Sequence, residues 1–272
     1  MKVAIQGIRG SFHHIVAEQY FGKNIDLIEC LSFTEMPKLL HAKKAEVVVM
    51  AIENSIAGAI LPNYALIDEH QLTICGEHHL PIQHNLMGLK GQSIEDITEV
   101  YSHPMALLQC HNFFKAYPHI KLIEDKDTAV VAKRIKNQKL KGVGAIASTL
   151  AAESFDLTIL APAIQTIKEN ATRFFILTNS EIKSSVSSNK ASIKFITSHE
   201  SGSLAKILTI LAKHHLNLSK IQSMPVIDTP WKYAFFADFT FDSYADYYNA
   251  MNEIKGKVET LKVLGEYNKG KR

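Results

Sequence analysis

Short apolar, β-branched runs alternate with segments of helical periodicity through the first half of the chain, and this alternation constrains the fold more than any other feature. Apolar runs at 2–6, 25–29 and 47–52 are separated by helical patterns at 11–21 and 33–42. Strands linked in this way by helices form a mainly parallel sheet, so the region reads as α/β. The pattern resumes with a strand at 100–102, a helix opening at Pro104, a strand at 120–123, a helix at 127–136 with Asp127 placed as its N-cap, and a strand at 143–147. Between these stretches, residues 72–89 are extended in character and broken by Pro81. They read as a crossover between two lobes, with a second crossover near 165–178.

The region after residue 180 is organised differently. Ser180, Ser184, Ser185, Ser187 and Ser188 lie in a segment with little to bury, which reads as a linker. Beyond it come a strand (192–197), a helix (203–214), two strands (216–224 and 233–241), a helix (244–255) and a strand (258–264). This βαββαβ order is the ferredoxin-like plan. The 272 residues suit about two domains at roughly 150 residues each. The expected bounds are 1–180 for the larger domain, 181–190 for the linker and 191–272 for the smaller one.

Charge and composition narrow the function classes. Thirty basic against 27 acidic residues give +3, scattered along the chain, so no electrostatic footprint for nucleic acid stands out. The longest apolar run, 47–52, is far short of the roughly 20 residues of a bilayer helix, and the N-terminus lacks a signal-peptide pattern. A cytoplasmic protein without membrane partners is expected. Cys30, Cys75 and Cys110 show no paired close spacing, which argues against a disulfide framework and a thiolate metal site. The histidines include the adjacent pairs His13-His14, His78-His79 and His214-His215, whose side chains diverge on a helix or a strand, and none has the i, i+4 spacing of a helical zinc site. No metal is expected.

Several polar groups follow strands, where open α/β sheets bind ligands. The turn Gly7-Ile8-Arg9-Gly10-Ser11 follows the first strand and offers backbone N–H groups at a helix start, although any strand-turn-helix can carry two glycines. Glu53-Asn54-Ser55 follows the run 47–52, and a ligand site and a self-bonded asparagine turn stand level there. Ser102-His103-Pro104 opens a helix on which Gln109 lies about two turns further along. Taken alone, Ser102 reads as a cap and Gln109 as a surface residue. Asn170-Ala171-Thr172-Arg173-Phe174 brings a hydroxyl, a guanidinium and a ring together at the edge of an apolar strand, and Arg173 would suit a carboxylate. A salt-bridged arginine beside a core phenylalanine is the commoner outcome for such a segment.

Taken in order, these segments resemble the prephenate dehydratase family. The resemblance runs through 7–12, Ile52-Glu53-Asn54-Ser55, Ser102-His103-Pro104, Gln109-Cys110, Asp127-Thr128-Ala129, Ala145-Ile146-Ala147-Ser148 and Thr172-Arg173-Phe174. It continues past the linker into a segment similar to an ACT domain, with Gly202-Ser203-Leu204, Asn217, Ser223-Met224-Pro225 and Tyr233-Ala234-Phe235-Phe236. The sequence departs from the family pattern at Ala51, Met105 and Asp127.

The resemblance implies a two-lobed, periplasmic-binding-protein-like catalytic domain followed by a ferredoxin-like ACT domain. It implies conversion of prephenate to phenylpyruvate with no cofactor; arogenate dehydratase and a non-catalytic amino-acid sensor are the alternatives. Thr172 is the implied catalytic hydroxyl, with Arg173, Glu53, Asn54, Ser102 and Gln109 binding or orienting substrate. Ser55, Thr128, Phe174, Ser11 and Ala147 are implied neighbours of the substrate. Arg173 is expected to grip the pyruvyl carboxylate, because an ion pair on the ring carboxylate would stabilise the group that must leave. Gly202, Ser203, Leu204, Asn217 and Ser223 are the implied contacts of an amino-acid effector. Gln222 and Met224 stand where family members that bind phenylalanine commonly carry Glu and Arg, so weakened phenylalanine binding is expected. A homodimer or homotetramer is the implied assembly.

Overall fold

The computed structural model describes residues 1–181, 186–226, 229 and 231–270. The middle of the Ser-rich segment, with Ser184 and Ser185, lies outside the described residues. In chain order the elements are β1 (Lys2–Gln6), α1 (Phe12–Phe21), β2 (Asp26–Cys30), α2 (Met36–His41), β3 (Val47–Asn54), β4 (Gly58–Ala59), α3 (Leu61–Glu69), β5 (Thr73–Pro81) and β6 (Asn85–Gly88). They continue with β7 (Glu99–Ser102), α4 (Pro104–Phe114), β8 (Lys121–Glu124), α5 (Thr128–Gln138), β9 (Val143–Ala147), α6 (Thr149–Ser154), β10 (Thr158–Ala161) and β11 (Ala171–Thr178). The C-terminal elements are β12 (Lys190–Ile196), α7 (Ser203–Lys213), β13 (Asn217–Pro225), β14 (Tyr233–Thr240), α8 (Tyr244–Lys255) and β15 (Thr260–Tyr267). The sequence pattern does not mark β4, α3, α6 or β10.

Two compact units emerge. The first holds Met1–Gly58 and His79–Phe174; the second holds Ala59–His78 and the chain from Phe175 onward.

In the first unit, β1 pairs in parallel with β2 on one side and β3 on the other, and β11 lies beyond β3. Val3, Ala4, Ile5, Val48, Val49 and Met50 are fully buried, as expected for parallel strands covered on both faces. A second sheet has the order β10-β6-β9-β7-β8, parallel through β9-β7-β8 and antiparallel at β6 and β10. Successive residues of β9 face opposite sides of this sheet. Ala145 and Ala147 pack with Ala129, Ala132 and Ile135 of α5, while Ile146 packs with Ala106, Leu107 and Cys110 of α4. The segments joining the two sheets run side by side, with the Ile82 N–H donating to the Asn170 carbonyl at 2.7 Å and the Ile164 N–H to that of His84 at 2.7 Å.

In the second unit, the antiparallel sheet β13-β14-β12-β15 has the strand order of the ferredoxin-like plan. Ala191, Ile193 and Phe195 point to α7 and α8, packing with Ile207, Leu211, Tyr247 and Ile254. The intervening residues face α3 and β5. Lys190 donates to both carboxylate oxygens of buried Glu77 at 2.9 and 2.8 Å. Asp68 pairs with Lys194 and Lys262, and Phe236 meets Tyr64 edge-on at 5.3 Å. Gly265 passes so close to β5 that a Cβ there would lie 2.1 Å from the Ile74 carbonyl oxygen.

Candidate active site

The site grows from the ends of β3 and β11. Cross-strand links connect them, among them Glu53 to Arg173, Asn54 to Thr172, and the Ser55 N–H to the Ala171 carbonyl. As one residue number rises its partner's falls, so the two strands run antiparallel here. Because neighbouring side chains on a strand point to opposite faces, Glu53 and Arg173 occupy one face and Asn54 and Thr172 the other. Ser55 adds its hydroxyl, which accepts from the Ala171 N–H at 3.0 Å.

On the Thr172 face lies a chain of amides. Asn54 donates from Nδ2 to the Thr172 hydroxyl oxygen at 3.0 Å and to Asn170 Oδ1 at 2.7 Å. Asn170 donates to Gln109 Oε1 at 2.9 Å, and His84 Nε2 lies 3.0 Å from the same oxygen. Asn170 and His84 are 2% and 4% exposed, so their polar atoms depend on these bonds. Burial pushes the His84 imidazole down to about 4, and it is neutral at pH 7. The Thr172 oxygen is occupied as an acceptor, and among the described residues no protein group takes its O–H. The asparagine turn weighed above also exists, because Asn54 Oδ1 accepts from the N–H groups of Ile56 and Ala57 at 3.0 and 2.9 Å. A single side chain therefore closes its own turn and holds Thr172.

Gln109 reaches a cavity of about 430 Å³ that is also lined by Ile56, Ala57, Met105, Leu108 and Thr166, among others. That volume suits a small-molecule ligand. Its walls are mostly apolar, and the Gln109 amide hydrogens have no protein acceptor among the described residues.

The prephenate dehydratase family model matches residues 3–182. The chain belongs to the prephenate dehydratase family. The bifunctional chorismate mutase/prephenate dehydratase of Aquifex aeolicus (strain VF5) is 34% identical over 99% of this chain and 74% of its own length. Arogenate dehydratase 2 of Petunia hybrida is 36% identical over 98% of this chain and 71% of its own length. Among solved structures, the prephenate dehydratase of Staphylococcus aureus subsp. aureus Mu50 matches with a TM-score of 0.86 at 25% identity, over 98% of this chain and 100% of that one. A protein described as a novel type of quorum quenching acylase matches with a TM-score of 0.89 at 26% identity, over 99% of this chain and 98% of that one.

Other residues of the dehydratase resemblance fall in different settings. Ser102 is fully buried and its hydroxyl donates to the Ile146 carbonyl at 2.7 Å, so it ties β7 to β9 and presents no free hydroxyl to a ligand. Phe174 is 1% exposed with its ring edge-on to His13 at 4.9 Å, which makes it a core residue. Ser11 caps α1 by accepting from the His14 N–H. Asp127 caps α5 from the Ala129 and Val130 N–H groups, leaving Thr128 half-buried as the first helical residue. Burial raises the Asp127 carboxyl and these two hydrogen bonds partly offset the shift. Ala147 is fully buried at the end of β9. Among the described residues no cluster of metal-ligating side chains occurs, and no helix is long and apolar enough to cross a membrane.

In the second unit, a cavity of about 310 Å³ is lined by Thr197, His199, Glu200, Ser203, Lys232 and Tyr233, among others. Gly202, in a left-handed conformation at φ 79°, and Leu204 flank Ser203 at the start of α7. Ser223 pairs across the sheet with Phe235, which also lines this cavity, whereas Asn217 pairs with Thr240 at the far end of β13. Asn217 is about 20 Å along the strand from Ser223 at ~3.4 Å per residue, so the two do not share one ligand within the chain.

Asn170 and His84 were not expected as site residues. Asn170 stood inside the segment singled out above, and its signal was a polar residue immediately before the reacting strand. His84 carries no sequence signal beyond a histidine in an apolar stretch.

Proposed function

We propose that this protein is a carbon-oxygen lyase that converts prephenate to phenylpyruvate, carbon dioxide and water. The observation that carries the reading is the 3.0 Å hydrogen bond from Asn54 to Thr172, which fills an acceptor site on the hydroxyl and leaves its O–H for the departing ring hydroxyl. As the ring carboxylate leaves as carbon dioxide, its bonding electrons enter the ring and the C–O bond breaks. The hydroxyl departs as water with the proton from Thr172, which solvent then replaces. Aromatisation drives the reaction, and the protein's task is orientation and proton donation. Glu53 and Ser55 keep β3 and β11 in register, and Gln109 offers donors to a bound ligand.

The Petunia relative supports arogenate as the alternative substrate, with an amino acid in place of the keto acid. Mixing purified protein with prephenate and following phenylpyruvate by ultraviolet absorbance, with arogenate in parallel, tests both. Turnover of neither substrate would leave the non-catalytic sensor.

The βαββαβ region is read as an ACT regulatory domain with an amino-acid effector near Ser203 and Ser223, and as the place where copies of the chain associate as dimers or tetramers. The free thiols Cys30, Cys75 and Cys110 suit a cytoplasmic enzyme.

A further inference from the structure

Asn54 fixes the direction of every amide after it. Its Oδ1 accepts from two backbone N–H groups, at 3.0 and 2.9 Å, so the side-chain amide cannot turn over without losing both. Its Nδ2 therefore donates, and the Asn170 atom 2.7 Å away is the acceptor oxygen. Asn170 is then left with its own Nδ2 for Gln109, 2.9 Å away, which makes the facing Gln109 atom an oxygen. That oxygen also faces His84 Nε2 at 3.0 Å, so the imidazole proton must sit on Nε2. Nδ1 is left bare, buried and without a protein partner among the described residues.

An orphaned ring nitrogen is unfavourable and calls for a reason. If the position required only a ring against Phe12, whose centroid lies 5.5 Å away edge-on, phenylalanine would supply it without the orphan. The His84 backbone is also held at both ends, its N–H by Gln165 Oε1 at 3.0 Å and its carbonyl by the Ile164 N–H at 2.7 Å. His84 and Asn170 come from the two segments that join the sheets, Gln109 from α4 and Asn54 from β3. The chain of bonds closes only when all four elements are in place.

We infer that His84 and Asn170 are positioning residues, which act through Gln109 and Asn54 to hold the Thr172 hydroxyl as a hydrogen-bond donor. This inference rests on the dehydratase reading. Burial, which keeps the imidazole neutral, preserves the single Nε2 donor the arrangement needs.

The test uses the full chain with prephenate. His84→Phe keeps the ring and removes the donor; kcat should fall at least about tenfold while KM stays within about twofold. His84→Gln returns an N–H near the Nε2 position and should restore kcat to within about threefold of wild type. In a Thr172→Val background, His84→Phe should change kcat less than about twofold, because its effect passes through the hydroxyl. If His84 serves packing alone the order reverses, with the phenylalanine variant near wild type and the glutamine variant worse, and the inference is lost. Nitrogen-15 spectra of the wild-type imidazole add a readout independent of any variant's folding: a proton on Nε2 supports the inference and a proton on Nδ1 overturns it. Absence of wild-type turnover would remove the dehydratase reading and this inference together, whereas turnover with the reversed variant order or the wrong tautomer removes the inference alone.

Discussion

Thr172 and Arg173 are consecutive on β11, yet Thr172 bonds to Asn54 on one face of the sheet while Arg173 donates to Glu53 at 3.1 Å on the other. The hydroxyl and the guanidinium, expected to reach one ligand together, are separated by the strand's own alternation.

Thr172→Val retains the shape of the side chain and removes the donor. Turnover of prephenate should fall by about 10² to 10⁴ with little change in KM, the range for a positioned general acid. Steady-state kinetics decide the point, and a variant with wild-type kcat would end the assignment.

Arg173 should behave as a structural cation. Its side chain is 4% exposed and that of Glu53 27%, so removing one partner leaves a poorly solvated charge. Glu53→Gln or Arg173→Met should destabilise the fold by about 3 kcal/mol, at the low end for buried pairs because Glu53 is partly solvated. Urea unfolding measures this. A stable Arg173→Lys variant with a sharply raised KM would instead place the guanidinium on the substrate carboxylate.

Stability should decline as pH falls below about 6.5. Burial holds His13 down to about 3 and His84 to about 4, whereas both titrate near 6.5 when unfolded. Below 6.5 the unfolded chain binds protons that the folded chain does not, so acid favours unfolding. Each histidine can contribute up to about 1.4 kcal/mol per pH unit until its folded value is reached. Urea midpoints that stay flat from pH 7 to pH 5 would contradict this assignment of the two imidazoles.

Gly265→Ala should destabilise the second unit, because the added Cβ would meet the Ile74 carbonyl oxygen at 2.1 Å and the Ile74 Cβ at 2.8 Å. Both contacts involve atoms held by β5. The expected loss is roughly 1 to 3 kcal/mol or more. Gly256→Ala, whose Cβ would meet the Glu253 carbonyl oxygen at 3.7 Å and nothing nearer among the described residues, is the matched control. Equal thermal midpoints for the two variants would show that β15 can shift away from β5.

Phenylalanine should inhibit weakly. Gln222 donates one side-chain N–H to the Ser223 carbonyl, and neither Gln222 nor Met224 supplies a charge to a zwitterion. Loss of a charge-assisted bond costs about 1.5 to 3 kcal/mol, roughly ten- to 150-fold in affinity. Half-inhibition at low micromolar phenylalanine in a steady-state assay would show that these positions do not matter.

Local chemistry made much of this protein legible in its sequence. The alternation of apolar runs and helical segments specified the α/β region, the order of elements after residue 190 specified the ferredoxin-like sheet, and the Asp127 cap could be placed from its position before a helix, because these features depend on near neighbours and burial period. The series of motifs from Gly7 to Phe174 carries the family resemblance in the sequence itself. Tertiary structure alone decided which polar groups meet. Adjacent letters such as Thr172-Arg173 and Glu53-Asn54 part to opposite faces of a sheet, while Asn54 and Asn170, far apart in sequence, come within 2.7 Å. The alternate residues Lys190, Ser192 and Lys194 have the period of a solvent-facing strand, but α3 and β5 cover that face, and Lys190 is buried on Glu77. The tautomer of His84 depends on a succession of hydrogen bonds through four elements, and no local pattern contains it.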